Sequence, residues 1–272
     1  MSASSFAHQR LARPPLALLL AAFSALALAQ APQPAPSAPP AYEPSVGQEG
    51  KDVVWVPTPQ VVVDRMLDKA RVTSRDFVMD LGSGDGRTVI TAAKRGARAM
   101  GIEYNPDMVE LSKRNAAKAG VPPERATFMK ADLFETDFSK ATVITMFLLP
   151  EINEKLRPKI LDLKPGTRVV SNTFEMGDWK ADDAVTVTGQ EGCDTSWCTV
   201  LLWIVPARVA GSYKTAQGDV TLKQDFQMLS GTLRAEGKSV PLQGKVRGEE
   251  ISFKAGGHEY HGKLKGKQLE LR

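Results

Sequence analysis

From Val78 to Arg87 the chain reads Val-Met-Asp-Leu-Gly-Ser-Gly-Asp-Gly-Arg, an apolar run ending in an acid and followed by three glycines at alternate positions. Thr88 to Lys94 then reads as the start of a helix. A strand, a tight turn and a helix in that order make a ligand cradle. Its glycines take positive φ and approach a bound group with no Cβ in the way, while the helix start offers free N–H groups. A nucleotide-like cofactor suits such a cradle, and spacing narrows the choice. The dinucleotide fingerprint fails, because the third glycine arrives one residue early at Gly86 and Arg87 stands where Gly or Ala is wanted. A phosphate loop fails too, since no Gly-Lys-Ser/Thr follows. The next apolar stretch, Ala99 to Ile102, ends in Glu103, whose carboxylate suits both hydroxyls of a ribose. That acid fits any adenosine cofactor.

The elements that must hold these residues alternate. The sequence reads as strand 76–81, helix 87–95, strand 97–103, helix 106–119 with Pro106 at N1 and Gly120 as its stop, strand 126–130, and a nearly all-apolar strand 141–147. Alternation of this kind implies a parallel sheet with its ligand crevice outside the carboxyl ends of the strands. The glycines, Glu103, Asp132 and residues 147–150 all fall at such ends. Before them, Pro59 opens a helix whose Val62, Val63, Met66 and Leu67 form an apolar stripe. After them, Glu151 and Asn153 are read as caps of the next helix, Pro158 as a break that splits it, and Lys164-Pro165-Gly166 as the turn into strand 168–174. Strands 184–188 and 197–205 form a hairpin that completes seven strands, and its loop carries Cys193 and Cys198. Those two cysteines are expected to form a disulfide in an oxidising compartment; a metal site lacks further ligands nearby.

The stretches Asp80-Leu-Gly-Ser-Gly-Asp-Gly86 and Gly101-Ile-Glu-Tyr-Asn-Pro106 resemble the first motif and the following acid of class I S-adenosylmethionine (SAM) methyltransferases. Trp55 to Leu67, Phe147 to Pro150 and Leu163 to Trp179 extend the resemblance across roughly residues 54–205. Together they look like the lysine methyltransferases related to the mitochondrial ATP synthase c-subunit enzyme and to bacterial relatives, with Trp55 standing where Tyr is expected. The resemblance implies a seven-stranded Rossmann-like α/β methyltransferase sheet and SAM as cofactor. It implies that Asp80 and the backbone of Gly82, Ser83, Gly84, Asp85 and Gly86 hold the methionine portion, Glu103 the ribose and Asp132 the adenine. Thr58, in a loop that would close over the cofactor, offers a hydroxyl. Asp132 has a plain alternative as cap of the short turn after it, and Thr58 as cap of the helix after it.

Adenine-N6 and glutamine methyltransferases carry Asn or Asp, two prolines and an aromatic residue where this chain has Leu148-Leu149-Pro150. Without that carbonyl acceptor for a planar amine, an aliphatic amine is the expected substrate, foremost a protein lysine. Lysine must lose a proton from a pKa of about 10.4 before it can attack, so the pocket must lower that pKa by desolvation or supply an acceptor. Phe147 and Trp179 are the expected walls of an apolar slot around the amine; no catalytic base stands out. The alternatives are a small-molecule methyltransferase and a noncatalytic exported protein that keeps the fold.

At the N-terminus, Arg10 and Arg13 precede an apolar run from Leu16 to Ala29 that ends in Ala27-Leu28-Ala29, a signal-peptide pattern over residues 1–29. Cleaved, it makes an exported, periplasmic protein; uncleaved, a membrane anchor; a mitochondrial location is the alternative. Residues 30–50, rich in Pro and Ala in their first part, read as an extended linker, 51–206 as the methyltransferase domain and 207–272 as a small domain. From Ala207 onward six Gly-separated stretches alternate apolar and polar residues, from Val220-Thr-Leu-Lys-Gln-Asp-Phe-Gln-Met228 to the C-terminus, predicting a small antiparallel β domain shaped as a half-open barrel. This tail holds 12 Lys and Arg against 7 Asp and Glu, either a solvated β surface or a face for an acidic partner. The whole-chain charge of +4 is too slight to argue for nucleic acid. His258 and His261 point to opposite faces of a strand, so no metal site is expected there.

Overall fold

The computed structural model describes Met1 and residues 42–272. The signal segment expected within residues 1–29, and residues 30–41, lie outside the described residues apart from Met1. Residues 42–272 form one compact unit.

Its first part runs α1 (Gln60–Lys69), β1 (Phe77–Leu81), α2 (Arg87–Lys94), β2 (Arg98–Glu103), α3 (Pro106–Lys118), β3 (Ala126–Lys130), β4 (Val143–Met146), α4 (Pro150–Leu161), β5 (Arg168–Asn172), β6 (Asp183–Thr186) and β7 (Thr199–Ile204). The strands make one sheet in the order β3-β2-β1-β4-β5-β7-β6, parallel from β3 to β5, with β7 antiparallel to both β5 and β6. This is the Rossmann-like seven-stranded sheet that the resemblance implies. Period-2 alternation sorts the strands onto two cores. Val78, Val143, Val170 and Val200 face the stripe of α1 (Val62, Val63, Met66, Leu67) and the inner faces of α2 and α3. Met79, Leu81, Ile144, Met146 and Val169 face Ile152, Leu156 and Ile160 of α4. Each such side chain, fully buried, contributes about 1.5–3 kcal/mol. The order reverses between β1 and β4, so the crevice opens where the chain leaves those two strands.

Two expectations fail on α4. Pro158 lies inside a continuous helix, because Leu156 and Ile160 on either side of it are both anchored in the core and outweigh the lost hydrogen bond. Leu149, with no capping side chain, holds the N-cap position; Glu151 is exposed in the first turn, and Asn153 is buried with its amide donating to the carbonyls of Phe174 and Glu175 at 3.2 and 3.1 Å. Asn153 therefore ties the loop after β5 to α4 instead of capping the helix.

The second part is a seven-stranded antiparallel meander of β8 (Gly211–Thr215), β9 (Gly218–Asp225), β10 (Met228–Ala235), β11 (Lys238–Arg247), β12 (Glu250–Ala255), β13 (His258–Lys265) and β14 (Gln268–Leu271). β14 curls back beside β8 without pairing to it, which makes the barrel half-open around Val220, Leu222, Leu233, Leu242, Val246, Ile251 and Phe253. The stretch Val220–Met228, expected as one strand, instead turns at Phe226-Gln227, and Asp225 pairs with Met228. Phe226 takes φ 49° there. What holds that uncommon conformation is the other domain: the Phe226 ring stacks on Trp179 with centroids 6.0 Å apart, and Gln227 donates to the Lys180 carbonyl at 2.7 Å. Residues 42–50, expected as linker, also fold onto the first part. Gly47 N–H donates to the Trp55 carbonyl and Trp55 N–H to that of Gln48, while the Gln48 amide donates to the Tyr42 hydroxyl. No helix among the described residues is long and apolar enough to cross a membrane.

Candidate active site

The crevice is lined from four strand ends and from the segment ahead of α1. Asp80, Gly82, Ser83, Gly84, Asp85, Glu103, Asp132, Thr58, Phe147 and Leu148 all border it, as do Trp55, Tyr104, Met108 and Ile152. The structure thus brings to one cleft every residue expected to touch cofactor except Gly86, which sits just behind as the N-cap of α2 at φ 83°.

The glycine loop is built for close approach. Gly84 has φ 53°, and a Cβ there would lie 2.6 Å from the Trp55 indole nitrogen. Trp55 therefore covers the loop, the role the sequence suggested for the neighbouring Val56-Pro57-Thr58. Behind the loop, the Ser112 hydroxyl donates to the Gly84 carbonyl at 2.8 Å and the Asn115 amide to the Asp85 carbonyl at 2.9 Å. Sequence reasoning missed these two residues. Their signal was a fully buried serine on the inner face of α3 with a second polar residue three positions on, where an apolar stripe is the rule. Arg87 forks onto the Asp85 carboxylate and donates to the Thr58 carbonyl at 2.8 Å. It lashes the loop to the covering segment, which explains an arginine where a dinucleotide site needs Gly. The Thr58 side chain caps nothing: Pro59 is the N-cap of α1, with no side-chain bond.

Glu103 accepts from Gly84 N–H through Oε2 and from Asn105 N–H through Oε1, both at 2.9 Å. These bonds fix the carboxylate at the rim while leaving each oxygen a further lone pair for a diol. Asp132 accepts from Phe134 N–H at 2.9 Å, the capping alternative realised, and its other oxygen is paired with Lys51, whose ammonium also lies 4.9 Å from the Tyr104 ring centre. The Lys51 contact, then the Phe134 N–H, hold the Asp132 carboxyl below its usual range.

Asp80 lies beneath the loop. Burial pushes its carboxyl up to about 7, against the pull of hydroxyls on Thr145 (2.6 Å) and Thr88. Ser83 presents a buried hydroxyl with no partner among the described residues. A buried acid near its midpoint, an unpartnered hydroxyl, a diol-ready carboxylate and a cradle that any Cβ would fill together fit the amino-acid and ribose ends of SAM.

The acceptor side differs from expectation. Trp179 is fully buried between Trp203 (6.2 Å) and Phe226 and does not border the cleft. Its place there follows from the domain packing described above. Phe147 does border the cleft, stacked on Phe174 (5.8 Å, 15°) and tilted against Trp197 (6.1 Å, 59°). Trp197 sits in the loop closed by the Cys193–Cys198 disulfide. No group of three or more His, Cys, Asp or Glu side chains suited to a metal occurs among the described residues.

Residues 80–183 match the family described as ANTKMT methyltransferase domain. A protein-lysine N-methyltransferase of Saccharolobus islandicus is 49% identical over 138 residues, 50% of this chain and 85% of that protein. The mouse lysine N-methyltransferase of the ATP synthase c-subunit is 36% identical over 144 residues, 53% of this chain, and the chain spans only 56% of its length. The crystal structure of an RNA methyltransferase from Salinibacter ruber with S-adenosyl-L-homocysteine is 48% identical, with a TM-score of 0.51 over 57% of this chain and 96% of that one. With the glycine loop, Glu103 at the end of β2 and the strand order all in place, the chain belongs to the SAM-dependent protein-lysine N-methyltransferase family.

Proposed function

We propose that this chain transfers the methyl group of SAM to lysine side chains of proteins outside the cytoplasm. The observation that carries the acceptor class is the exit of β4. There, Phe147 and Leu148 line the cleft with apolar side chains, and the stretch Phe147 to Pro150 offers no Asn or Asp carbonyl for a planar amine. When bound, SAM supplies a methyl group already activated by its sulfonium. The protein's residues then have two tasks. Gly82–Gly86, Asp80 and Glu103 fix the donor's orientation, and proximity supplies most of the rate. Phe147 and Leu148 strip water from the entering lysine, favouring the neutral amine whose lone pair makes the new N–C bond. The N–C bond forms as the methyl–sulfur bond breaks, with S-adenosylhomocysteine as leaving group, and the proton that lysine sheds before attack goes to solvent.

Export is part of the same proposal. The pattern of residues 1–29 supports it, and so does a disulfide, a bond that persists in oxidising compartments. Whether that segment also anchors the chain to a membrane is a further branch. Fractionation of cells expressing the full chain, with and without residues 1–29, tests both: soluble periplasmic protein supports cleavage, cytoplasmic protein in both cases refutes export.

An RNA acceptor is the second reading, favoured by the Salinibacter ruber relative. Purified protein given methyl-labelled SAM with poly-L-lysine, total RNA or free lysine separates the readings. Label on ε-amines of poly-L-lysine is expected. Label on RNA alone, or on free lysine alone, overturns the protein-lysine reading.

A further inference from the structure

We propose that Phe147, Phe174 and Trp197 form the acceptor-lysine slot, and that Trp197, held out by the Cys193–Cys198 loop, is its specificity-determining wall. The inference rests on the lysine reading above and names the site that reading requires. Three observations converge on it.

The first is position. Phe147 is the first residue beyond β4, at the switch point of the sheet, so it borders both the cofactor cleft and the aromatic cluster.

The second is strain. Phe174 reaches Phe147 only because Thr173 takes φ 63°. A β-branched residue keeps that conformation only where its surroundings hold it, and such outliers gather at functional sites. The holding contacts are explicit: Thr173 N–H donates to the Thr199 carbonyl at 2.6 Å, Phe174 N–H to the Asn172 carbonyl at 2.7 Å, and the Ser171 hydroxyl to the Phe174 carbonyl at 2.7 Å. Asn153 grips the Phe174 carbonyl from α4 as well.

The third is exposure. Trp197 is 37% exposed, an unusual state for tryptophan, and the surrounding loop is fixed rather than free. The disulfide closes it, and the Trp197 N–H donates to the Thr195 hydroxyl at 3.2 Å. A large ring is thus held at the rim, one face open to solvent, beside a ring that borders the donor cleft.

A slot of this kind takes the four-carbon stem of lysine against ring faces. It keeps water from the amine, and the same faces accept the charged methylammonium product through cation–π attraction. The occupant is a lysine on an unstructured or protruding segment, since the wall stands at the surface.

The test uses the full mature chain with poly-L-lysine as acceptor and calorimetry with S-adenosylhomocysteine as the fold and cofactor control. Trp197→Ala should raise KM for poly-L-lysine about tenfold, the size of one aromatic contact, with S-adenosylhomocysteine affinity unchanged. Trp197→Phe should recover most of the loss. The Cys193→Ser/Cys198→Ser pair should raise KM less, again with cofactor affinity intact. An unchanged KM in Trp197→Ala, with an active wild type, overturns the slot and leaves the lysine reading standing. A wild type that binds S-adenosylhomocysteine yet labels no lysine overturns both.

Discussion

The cleft and the C-terminal meander are built from the same chain by opposite habits. In the meander almost every side chain obeys local rule: Val220, Leu222, Leu233, Leu242 and Phe253 face in, and Lys223, Arg234, Lys245 and Lys254 face out. In the cleft the rules are broken repeatedly. An acid is fully buried at Asp80, a hydroxyl is left without a partner at Ser83, a polar pair interrupts the inner face of α3 behind the loop, and, next to the Phe174 ring stacked on Phe147, Thr173 stands in left-handed backbone. Local inconsistency concentrates where function is assembled, held there by specific contacts from elsewhere in the fold. The meander has fewer such places: Glu236 takes left-handed backbone in a hairpin turn, the Gln217 amide oxygen is buried without a partner among the described residues, and Phe226 takes left-handed backbone beside the loop carrying Trp179. What the meander gives the first part is contact: Phe226 on Trp179 and Gln227 on the Lys180 carbonyl hold the segment between β5 and β6.

The sharpest way to break the comparison is Gly84→Val. Left-handed backbone and a Cβ driven into Trp55 should abolish SAM binding by calorimetry, a loss of at least about hundredfold, while the meander keeps its β-sheet circular dichroism. Binding that survives would mean that the loop is not the cradle.

Next in size is the pH dependence of Asp80. Its folded carboxyl holds a proton more tightly than the unfolded chain, so between about 4 and about 7 the native state binds more protons and stability falls as pH rises. A shift from 3.8 to about 7 corresponds to something on the order of 4 kcal/mol, lost across that window and flat above it. Thermal melts of Asp80→Asn should lack this fall, and above pH 7 the variant should melt higher than wild type. SAM, with its α-ammonium, should bind wild type more tightly as pH rises toward about 7; melts and titrations that do not move with pH would place Asp80 outside this role.

Phe226→Ala probes that contact. Loss of a half-buried ring stacked on Trp179 should cost about 2 kcal/mol in urea unfolding and weaken acceptor KM more than SAM affinity. Equal weakening of both would show that the domain supports the fold generally. The smallest expected effect is Glu103→Ala, which removes two potential ribose bonds of about 0.5–1.5 kcal/mol each and should weaken SAM binding roughly tenfold without changing lysine KM.

Much of this was legible from residues alone. The spacing of Gly82, Gly84 and Gly86, the acid at Glu103 and the alternation of strands with helices are local patterns, and local geometry sets both the turn and the strand ends. The count of seven strands and the closing hairpin came with the resemblance those patterns carried, while the order β3-β2-β1-β4-β5-β7-β6 came from the structure. The Phe226-Gln227 turn was hidden because neither residue is a turn former; it exists because Trp179 and the Lys180 carbonyl reward it.

The sequence by itself determined the glycine turn, the acid at the end of β2 and the class of fold, since each depends on residues a few positions apart. Tertiary structure alone decided which tryptophan is buried and which stands at the surface beside Phe147. Trp179 and Trp197 both follow β5 and have the same side chain, yet Phe226 and Trp203 bury the first while a disulfide loop presents the second. Burial is a property of what arrives from elsewhere in the chain, and that information lies in packing rather than in any stretch of residues.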